Sequence, residues 1–211
     1  MPMDSSGPQS GSASPLELLR TPPPHERTDA ARNRAAILAA AARLFARHGV
    51  ENVSLDQIAA AAGVGKGTLF RRFGDKAGLG VALLDERERT LQEAILHGPP
   101  PLGPDAPAAE RLSAFLDAYL DYLLEHVSLV RMSETATPGA RYRIGAYRFW
   151  HRHTAILLAG LPHPDPDPDH TAHALLAALA ADHISALLPE LGERRIRAGI
   201  RRLADRATAA P

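Results

Sequence analysis

A short glycine-rich segment of this sequence concentrates residue types that bind phosphates. Gly65, Lys66, Gly67 and Thr68 follow one another and offer uncovered backbone amides, a positive charge and a hydroxyl group. Such groups donate hydrogen bonds and pair electrostatically with the phosphate oxygens of nucleic acids. Residues 27–76 hold nine basic and four acidic residues, a net charge of +5, whereas the remainder of the chain carries −5. This polarity favours a molecule that presents one end to DNA.

Two short helices must position that segment. Ser54 is a candidate N-cap, and Gln57, three residues later, completes a capping box. Val53 and Ile58 flank it as a hydrophobic staple, and Gly63 begins a tight turn after which a second helix starts. This pattern is typical of a helix-turn-helix DNA reader whose second helix enters the major groove.

The rest of the chain predicts further helices separated by proline-rich connections. Apolar residues recur at helical spacing from Thr28 to Gly49, and Asp75 caps a fourth helix that ends near Leu96. Later helices are predicted after the loop at 98–107, at about 127–137 and 139–159 around Pro138, and in two segments after the linker at 161–168 that Pro189 and Gly192 divide. No segment alternates with period two, so we predict an all-α protein of about nine helices.

The composition divides the chain into three parts. Residues 1–27 are rich in Ser, Pro and Gly, which predicts a disordered N-terminal tail. Residues 28–74 form the predicted helix-turn-helix DNA-binding domain, and residues 75–211 form a helical domain for ligand binding and dimerisation.

The segment from Ser54 to Leu79 resembles the N-terminal signature of the TetR family of transcriptional regulators. The order of Gly63-Val64, Gly67-Thr68-Leu69, Phe73 and Lys76 carries this resemblance. It implies a homodimer in which the first three helices bind operator DNA and a variable C-terminal domain binds a small-molecule inducer. The expected regulator, more often a repressor in this family, reads a palindromic operator and responds to ligand through a shift of the fourth helix.

The resemblance also implies roles for single residues. The hydroxyl groups of Ser54 and Thr68 contact phosphates, Lys76 pairs with a phosphate at the start of the fourth helix, and Lys66 lies near the bases. Gly65, Phe70 and Arg72 stand where the family often has Ser, Tyr and His, and Arg71 and Arg72 add positive charge. The complete set of predicted DNA-contacting residues is Ser54, Gly65, Lys66, Gly67, Thr68, Phe70, Arg71, Arg72 and Lys76.

Seven of the ten aromatic residues lie between positions 115 and 150, in the middle of the predicted C-terminal domain. Aromatic walls with a few polar groups are typical of ligand cavities, although such residues also pack in plain cores. The predicted ligand-binding residues are Phe115, Tyr119, Tyr122, Met132, Tyr147, Trp150 and His151. Four nearby arginines would favour an acidic ligand if two of them pointed inward, namely Arg141, Arg143, Arg148 and Arg152.

The last two predicted helices carry small and apolar residues on one side, which favours an isologous four-helix interface with a second chain. Burial within the monomer is the alternative. The predicted dimer residues are Leu175, Leu176, Leu179, His183, Ile196, Ile200 and Leu203.

Other functions have weaker support in the sequence. The segment 63–68 lacks the spacing of a phosphate-binding loop of nucleotide hydrolases, and nothing marks a catalytic nucleophile. A metal-responsive helical sensor is the alternative reading of His151, His153, His170, His173 and His183, but carboxylate partners are scarce there. With no cysteine and no long apolar run, we expect no metal site, no cofactor, no membrane partner and a cytoplasmic location.

Overall fold

A computed structural model describes residues 28–209 of the protein. Within this range it contains nine helices and no strand, which confirms the predicted all-helical fold. The helices are α1 Thr28–His48, α2 Leu55–Ala62, α3 Lys66–Phe73, α4 Lys76–His97, α5 Ala108–Glu134, α6 Ala140–Arg143, α7 Gly145–Ala159, α8 Pro168–Ala177 and α9 Ala181–Thr208. The predicted disordered tail, residues 1–27, lies outside the described residues.

Two separate apolar cores divide the helices between them. The N-terminal core is built by α1, α2, α3 and the first turn of α4, with Ile37, Ile58 and Leu69 completely buried. The C-terminal core joins the rest of α4 to α5, α7, α8 and α9. Helix α4 therefore belongs to both cores, since Leu79 packs in the first and Leu84 in the second.

The C-terminal core is a bundle in which α5 packs between α4 and α9. Ion pairs between arginines of α9 and carboxylates of α5 line the outer edge of that packing, as Arg197 contacts Asp121 at 2.5 Å and Arg201 contacts Asp117 at 2.8 Å. Exposed pairs of this kind contribute only about 0 to 1 kcal/mol each, so the buried apolar residues hold the bundle together.

The last two helices break at a place that the sequence did not predict. We expected one helix to continue through Leu175–Leu188, but the chain breaks at residues 178–180, and α8 and α9 meet at a bend of 48°. Pro189 lies inside α9, and only Gly192 interrupts it, with φ 71° and ψ 157°. Ala177-Ala178-Leu179-Ala180 has good intrinsic helix propensity, so tertiary contacts rather than local preference impose the break.

A buried ion pair provides those contacts. Glu134, at the end of α5, pairs with Arg141 of α6, and both side chains are buried. The Arg141 guanidinium donates to the carbonyl oxygen of Leu176 at 2.7 Å, and the Glu134 carboxylate accepts from the amide of Ala181 at 2.9 Å. The pair thus satisfies backbone groups that the interruption removes from the helical ladder.

Two further helices are irregular. Helix α5 continues through the position where we predicted two helices, with one non-helical residue at His126 (φ −125°, ψ 20°). Extended backbone at Ile144 separates α6 from α7. Within residues 28–209 no single helix is long and apolar enough to cross a membrane, although α8 and α9 reach that length and composition when they are taken together.

Candidate nucleic-acid interface and internal cavity

The start of α2 has the predicted cap. The amide of Gln57 donates to the Ser54 hydroxyl at 3.2 Å, and the amide of Ser54 donates to the Gln57 side-chain oxygen at 2.8 Å. Gly63 ends α2 in the left-handed conformation, with φ 67°, which a residue with a side chain adopts only with strain. These two local signals set the angle at which the chain turns into α3.

Helix α3 is anchored in the N-terminal core by Leu69 and, less deeply, by Phe73, while its N-terminus faces outward. Leu69 is completely buried in the N-terminal core, whereas Gly65, Lys66 and Gly67 are exposed. As expected, the N-cap Gly65 makes no side-chain cap hydrogen bond, so the first amides of α3 have no side-chain acceptor there. An exposed helix N-terminus with such amides attracts anions.

Space is open in front of both glycines. A Cβ atom added at Gly65 or Gly67 would meet no other atom of the chain within 4 Å. These glycines are therefore not required by packing within this chain. Their small size instead leaves room for a partner to approach the backbone closely.

The remaining predicted DNA-contacting residues differ in how they are held. Phe70 is 60% exposed, a large apolar ring without cover, and Arg71 is also exposed. Thr68 and Lys76 are half-buried, and the Lys76 ammonium donates to the carbonyl oxygen of Glu51 at 3.4 Å. Most of the predicted set thus lies on the surface around α3, with ring, hydroxyl and cationic groups available to a ligand.

Two of the basic residues have internal contacts that the sequence did not reveal. The Lys66 ammonium pairs with Asp56 of α2 at 2.9 Å, where both side chains are exposed. The Arg72 guanidinium donates to the carbonyl oxygen of Ala30 at 2.9 Å and so ties α3 to the first turn of α1. Arg72 therefore supports the position of the helices as well as adding charge.

Helix α4 connects this surface to the C-terminal bundle. Asp75 caps it as expected, accepting from the amide of Gly78 at 2.8 Å. Arg34 of α1 pairs with Asp85 of α4 at 3.3 Å, although burial raises the pKa of Asp85 despite that arginine. A Cβ atom at Gly80 would lie 2.4 Å from the terminal carbon of Met132, so α4 and α5 approach closely there. Met132, a predicted ligand residue, thus packs at the junction of the two cores.

A small internal cavity lies between α4, α5 and α7. Its volume is about 20 Å³, which is room for roughly one water molecule. The residues that line it are Glu88, Tyr119, Tyr122, Val130, Ser133, Glu134, Ile144, Ala146, Tyr147 and Trp150. Four of the seven predicted ligand residues are among them. Phe115 does not line the cavity. Its ring stacks on the ring of Tyr119, with 5.8 Å between the ring centres.

The sequence analysis missed both carboxylates at this cavity, Glu88 and Glu134. Glu88 lies on α4 at helical spacing from the buried residues Leu84 and Ile95, so an acidic residue on the apolar side of the helix was the available signal. The Tyr122 hydroxyl donates to Glu88 at 3.0 Å. Burial, together with the neighbouring carboxylates of Asp85 and Glu134, raises the pKa of Glu88 to about 7, while that hydrogen bond opposes the shift.

The four arginines that could favour an acidic ligand do not point inward together in this structure. Of the four candidates only Arg141 is buried, and its guanidinium contacts Glu134, the Leu176 carbonyl and the ring of Tyr147. Arg143, Arg148 and Arg152 are exposed. The condition for an acidic ligand, two inward arginines, is therefore not met, because α7 turns its basic side to the surface.

The histidines form a stack rather than a ligand set. The rings of His151 and His173 stack at 3.9 Å, the Tyr147 hydroxyl lies 2.7 Å from Nδ1 of His173, and Nε2 of His151 lies 3.1 Å from the carbonyl oxygen of Asp169. His151 is not among the residues that line the cavity. In the described part of the chain, no three histidine, aspartate or glutamate residues are grouped to hold a metal ion.

An open apolar groove runs along α9. Its volume is about 510 Å³, and its lining includes His183, Ile196, Ile200 and Leu203 of the predicted dimer residues. Leu203 is 39% exposed there. Five of the seven predicted dimer residues need a correction, because they are buried inside the chain: Leu176 and Leu179 completely, and Leu175, Ile196 and Ile200 nearly so. For these, burial within the monomer is the correct alternative.

Comparison with known proteins assigns the first core to a known class. Residues 37–83 match the family described as bacterial regulatory proteins, tetR family. An HTH-type transcriptional regulator of Staphylococcus aureus (strain MRSA252) is 32% identical over 121 residues, which cover 57% of this chain and 64% of that protein. The match therefore leaves more than a third of that relative's length uncovered.

Solved structures extend the likeness to the second core. A TetR transcriptional regulator from Rhodococcus sp. RHA1 has a TM-score of 0.61 at 21% identity, covering 86% of this chain and 97% of that one. Native NalD of Pseudomonas aeruginosa, described as the secondary repressor of the MexAB-OprM multidrug efflux pump, has a TM-score of 0.55 at 25% identity, with 85% and 96% covered. The helical C-terminal bundle thus shares the fold of these regulators.

Proposed function

We propose that this chain is a transcriptional regulator of the TetR family and that it acts as a dimeric, ligand-responsive repressor of a palindromic operator. The observation that carries the proposal is the N-terminus of α3. It is anchored in the N-terminal core by Leu69, yet it presents bare glycine backbone and basic side chains to the outside.

The chemistry around α3 suits the backbone and bases of DNA. Open space at Gly67 permits close approach of the helix to the groove, and Lys66 stands beside it as the residue nearest to the bases. The hydroxyl groups of Ser54 and Thr68 and the ammonium group of Lys76 contact phosphates. Since Lys66 pairs with Asp56 in the free protein, DNA binding exchanges that exposed ion pair for contacts with DNA.

The groove on α9 supports the second part of the proposal, the homodimer. A two-fold pairing of α9 with its copy covers the exposed side chains of His183 and Leu203 in the groove, and brings two copies of α3 to the same face of one DNA. Helix-turn-helix dimers bind half-sites about 34 Å apart. Two recognition helices linked in one dimer bind DNA more tightly than either helix alone.

Release by a small molecule is the third part. A ligand between α4, α5 and α7 contacts α4, which also carries Asp85 against α1 and Gly80 against Met132. A shift of α4 therefore changes the position of the DNA-binding helices. A coupling of about 1 to 3 kcal/mol changes operator affinity roughly 5- to 150-fold. The likeness to NalD, which is described as a repressor, favours repression over activation.

Selection of DNA from a random pool tests this function directly. We expect the purified full-length protein to enrich a palindrome whose half-sites lie about one helical turn apart, with affinity that falls steeply as salt rises. The variant that tests a single contact is Thr68→Val. It removes a hydroxyl group but keeps the shape of the side chain, and it should bind the selected DNA more weakly. A folded protein that enriches no sequence would contradict the proposal.

A further inference from the structure

We infer that the internal cavity recognises a cationic ligand, an organic ammonium group held between aromatic rings and the carboxylate of Glu88. The inference rests on the proposed function, because it names the chemical class of the ligand that releases the operator. It follows from the charges around the cavity, from the rings in its walls and from the helix interruptions beside it.

The charge balance at the cavity is acidic. Glu134 is compensated by Arg141, and both side chains also hold backbone groups at the α8–α9 break, so neither is available to a ligand without breaking that junction. Glu88 receives a hydrogen bond from Tyr122, but within residues 28–209 no cationic side chain pairs with it. A buried carboxylate without a cationic partner is costly, and a ligand that carries a positive charge removes that cost.

The walls of the cavity hold several aromatic rings that lie close to one another. The ring of Tyr119 lies 5.6 Å from that of Trp150 and 5.9 Å from that of Tyr122. Ring faces attract cations through their quadrupole, most strongly in Trp and Tyr, and this attraction grows when water is excluded. One cation already uses such a face, since the Arg141 guanidinium lies 5.0 Å from the centre of the Tyr147 ring on the same cavity wall.

The protonation state of Glu88 makes the affinity for a cation depend on pH. Burial raises the pKa of Glu88 to about 7, and the groups that face it are Tyr122, Asp85 and Glu134. A bound cation stabilises the carboxylate, so it lowers that pKa and displaces a proton at neutral pH. Affinity for a cation should therefore rise as the pH increases toward 7 and level off above it.

The cavity must widen to take a ligand larger than water, and its walls lie beside two helix interruptions. Tyr122 precedes the non-helical residue His126 in α5, and Val130, another lining residue, follows it. Extended backbone at Ile144, itself a lining residue, separates α6 from α7. Rotation at these two positions separates the walls without breaking a continuous hydrogen-bonded helix.

Three small molecules of similar shape test the charge preference on the full-length protein. Choline carries the positive charge, dimethylbutanol is its uncharged carbon isostere, and dimethylbutanoate carries a negative charge. Trp150 lines the cavity and is the only tryptophan of the chain, so its fluorescence reports binding at this site. We expect choline to bind at least tenfold more tightly than the other two, and more tightly at pH 7 than at pH 5.

Two variants connect this preference to one side chain. Glu88→Gln keeps a hydrogen-bond acceptor for Tyr122 but removes the charge, and should lower choline affinity at least tenfold and abolish its pH dependence. Glu86→Gln is the matched control, since it removes a charge from the exposed side of the same helix. It should leave choline affinity and its pH dependence unchanged.

Equal affinity of the wild-type protein for choline and its isostere would overturn the inference, and so would the absence of choline binding or an unchanged affinity in Glu88→Gln. The comparison of choline with its uncharged isostere uses the wild-type protein. It therefore tests the inference even if Glu88→Gln does not fold. A protein that selects its palindrome but ignores choline contradicts this inference alone. A protein that selects no DNA contradicts the proposed function.

Discussion

The two cores of this protein place their polar residues in opposite ways. In the N-terminal unit the core is wholly apolar, and the basic and hydroxyl groups lie on its surface around α3. In the C-terminal bundle several polar side chains are buried, among them Glu134, Arg141 and His153. The polar groups of the first unit can therefore contact a partner at the surface. In the second unit, a small change of structure can alter the contacts of the buried charges.

The difference explains which unit is suited to regulation. Buried charges depend strongly on their surroundings because the interior screens them weakly. Burial lowers the pKa of His153 to about 3, so its imidazole is neutral at pH 7, and raises that of Glu88 to about 7, so its carboxyl group is shifted toward the neutral form. Surface groups such as Arg71 respond mainly to the salt concentration.

The largest predicted effect would break the buried pair of the second core. Arg141→Ala leaves Glu134 buried without its cation, which should lower the free energy of unfolding by about 3 to 5 kcal/mol. Arg148→Ala is the control from the exposed side of α7, with an expected change below about 0.5 kcal/mol. Urea denaturation measures both. Equal stabilities would show that the pair does not hold the α8–α9 junction.

A charge in the α9 groove should separate the proposed dimer without unfolding the chain. In Leu203→Glu the new carboxylate lies on a side chain that is 39% exposed, so the monomer tolerates it. In an isologous interface the change occurs twice, and the two like charges repel each other. Sedimentation should show monomers, whereas Arg194→Glu, outside the groove lining, should remain dimeric. A dimeric Leu203→Glu protein would place the interface elsewhere.

Gly67→Ala tests whether the N-terminal unit acts through its outer surface. No atom of the chain blocks the added methyl group, and alanine favours a helix by roughly 0.5 to 1 kcal/mol, so stability should not fall. The same methyl group should obstruct DNA and weaken operator binding about tenfold, or ~1.4 kcal/mol. Titration of the selected operator measures this loss. Undiminished affinity would remove Gly67 from the contact surface.

The last prediction concerns the pH dependence of stability. Because the pKa of Glu88 is raised from 4.5 to about 7 on folding, the folded state holds a proton that the unfolded chain has lost over this interval. The stability of the wild-type protein relative to Glu88→Gln should therefore fall as the pH rises from 4.5 to about 7, and stay constant above that. Urea denaturation across the interval measures the difference. If the stabilities of the two proteins changed equally with pH, the raised pKa could not be assigned to Glu88.

Much of the N-terminal unit could be predicted from the sequence because its signals are local. The capping box at Ser54, the left-handed turn at Gly63 and the cap at Asp75 each depend on residues within one turn of helix. The exposed position of Gly67 then follows from the buried Leu69 through helical periodicity. The ties made by Arg72 and Arg34 could not be predicted in this way, since their partners lie on other helices.

In the C-terminal bundle the sequence predicted the helices and four of the aromatic cavity residues, but it could not show which polar groups face inward. The break after α8 contradicts local helix propensity, and it exists because Arg141 and Glu134, brought from α6 and α5, bind the backbone there. The sequence alone determined the all-helical class and the helix-turn-helix element, whose hydrogen bonds close within a few residues. Only the tertiary structure decided the acidic cavity, because its charges come from distant helices and their balance depends on which carboxylate has a cationic partner.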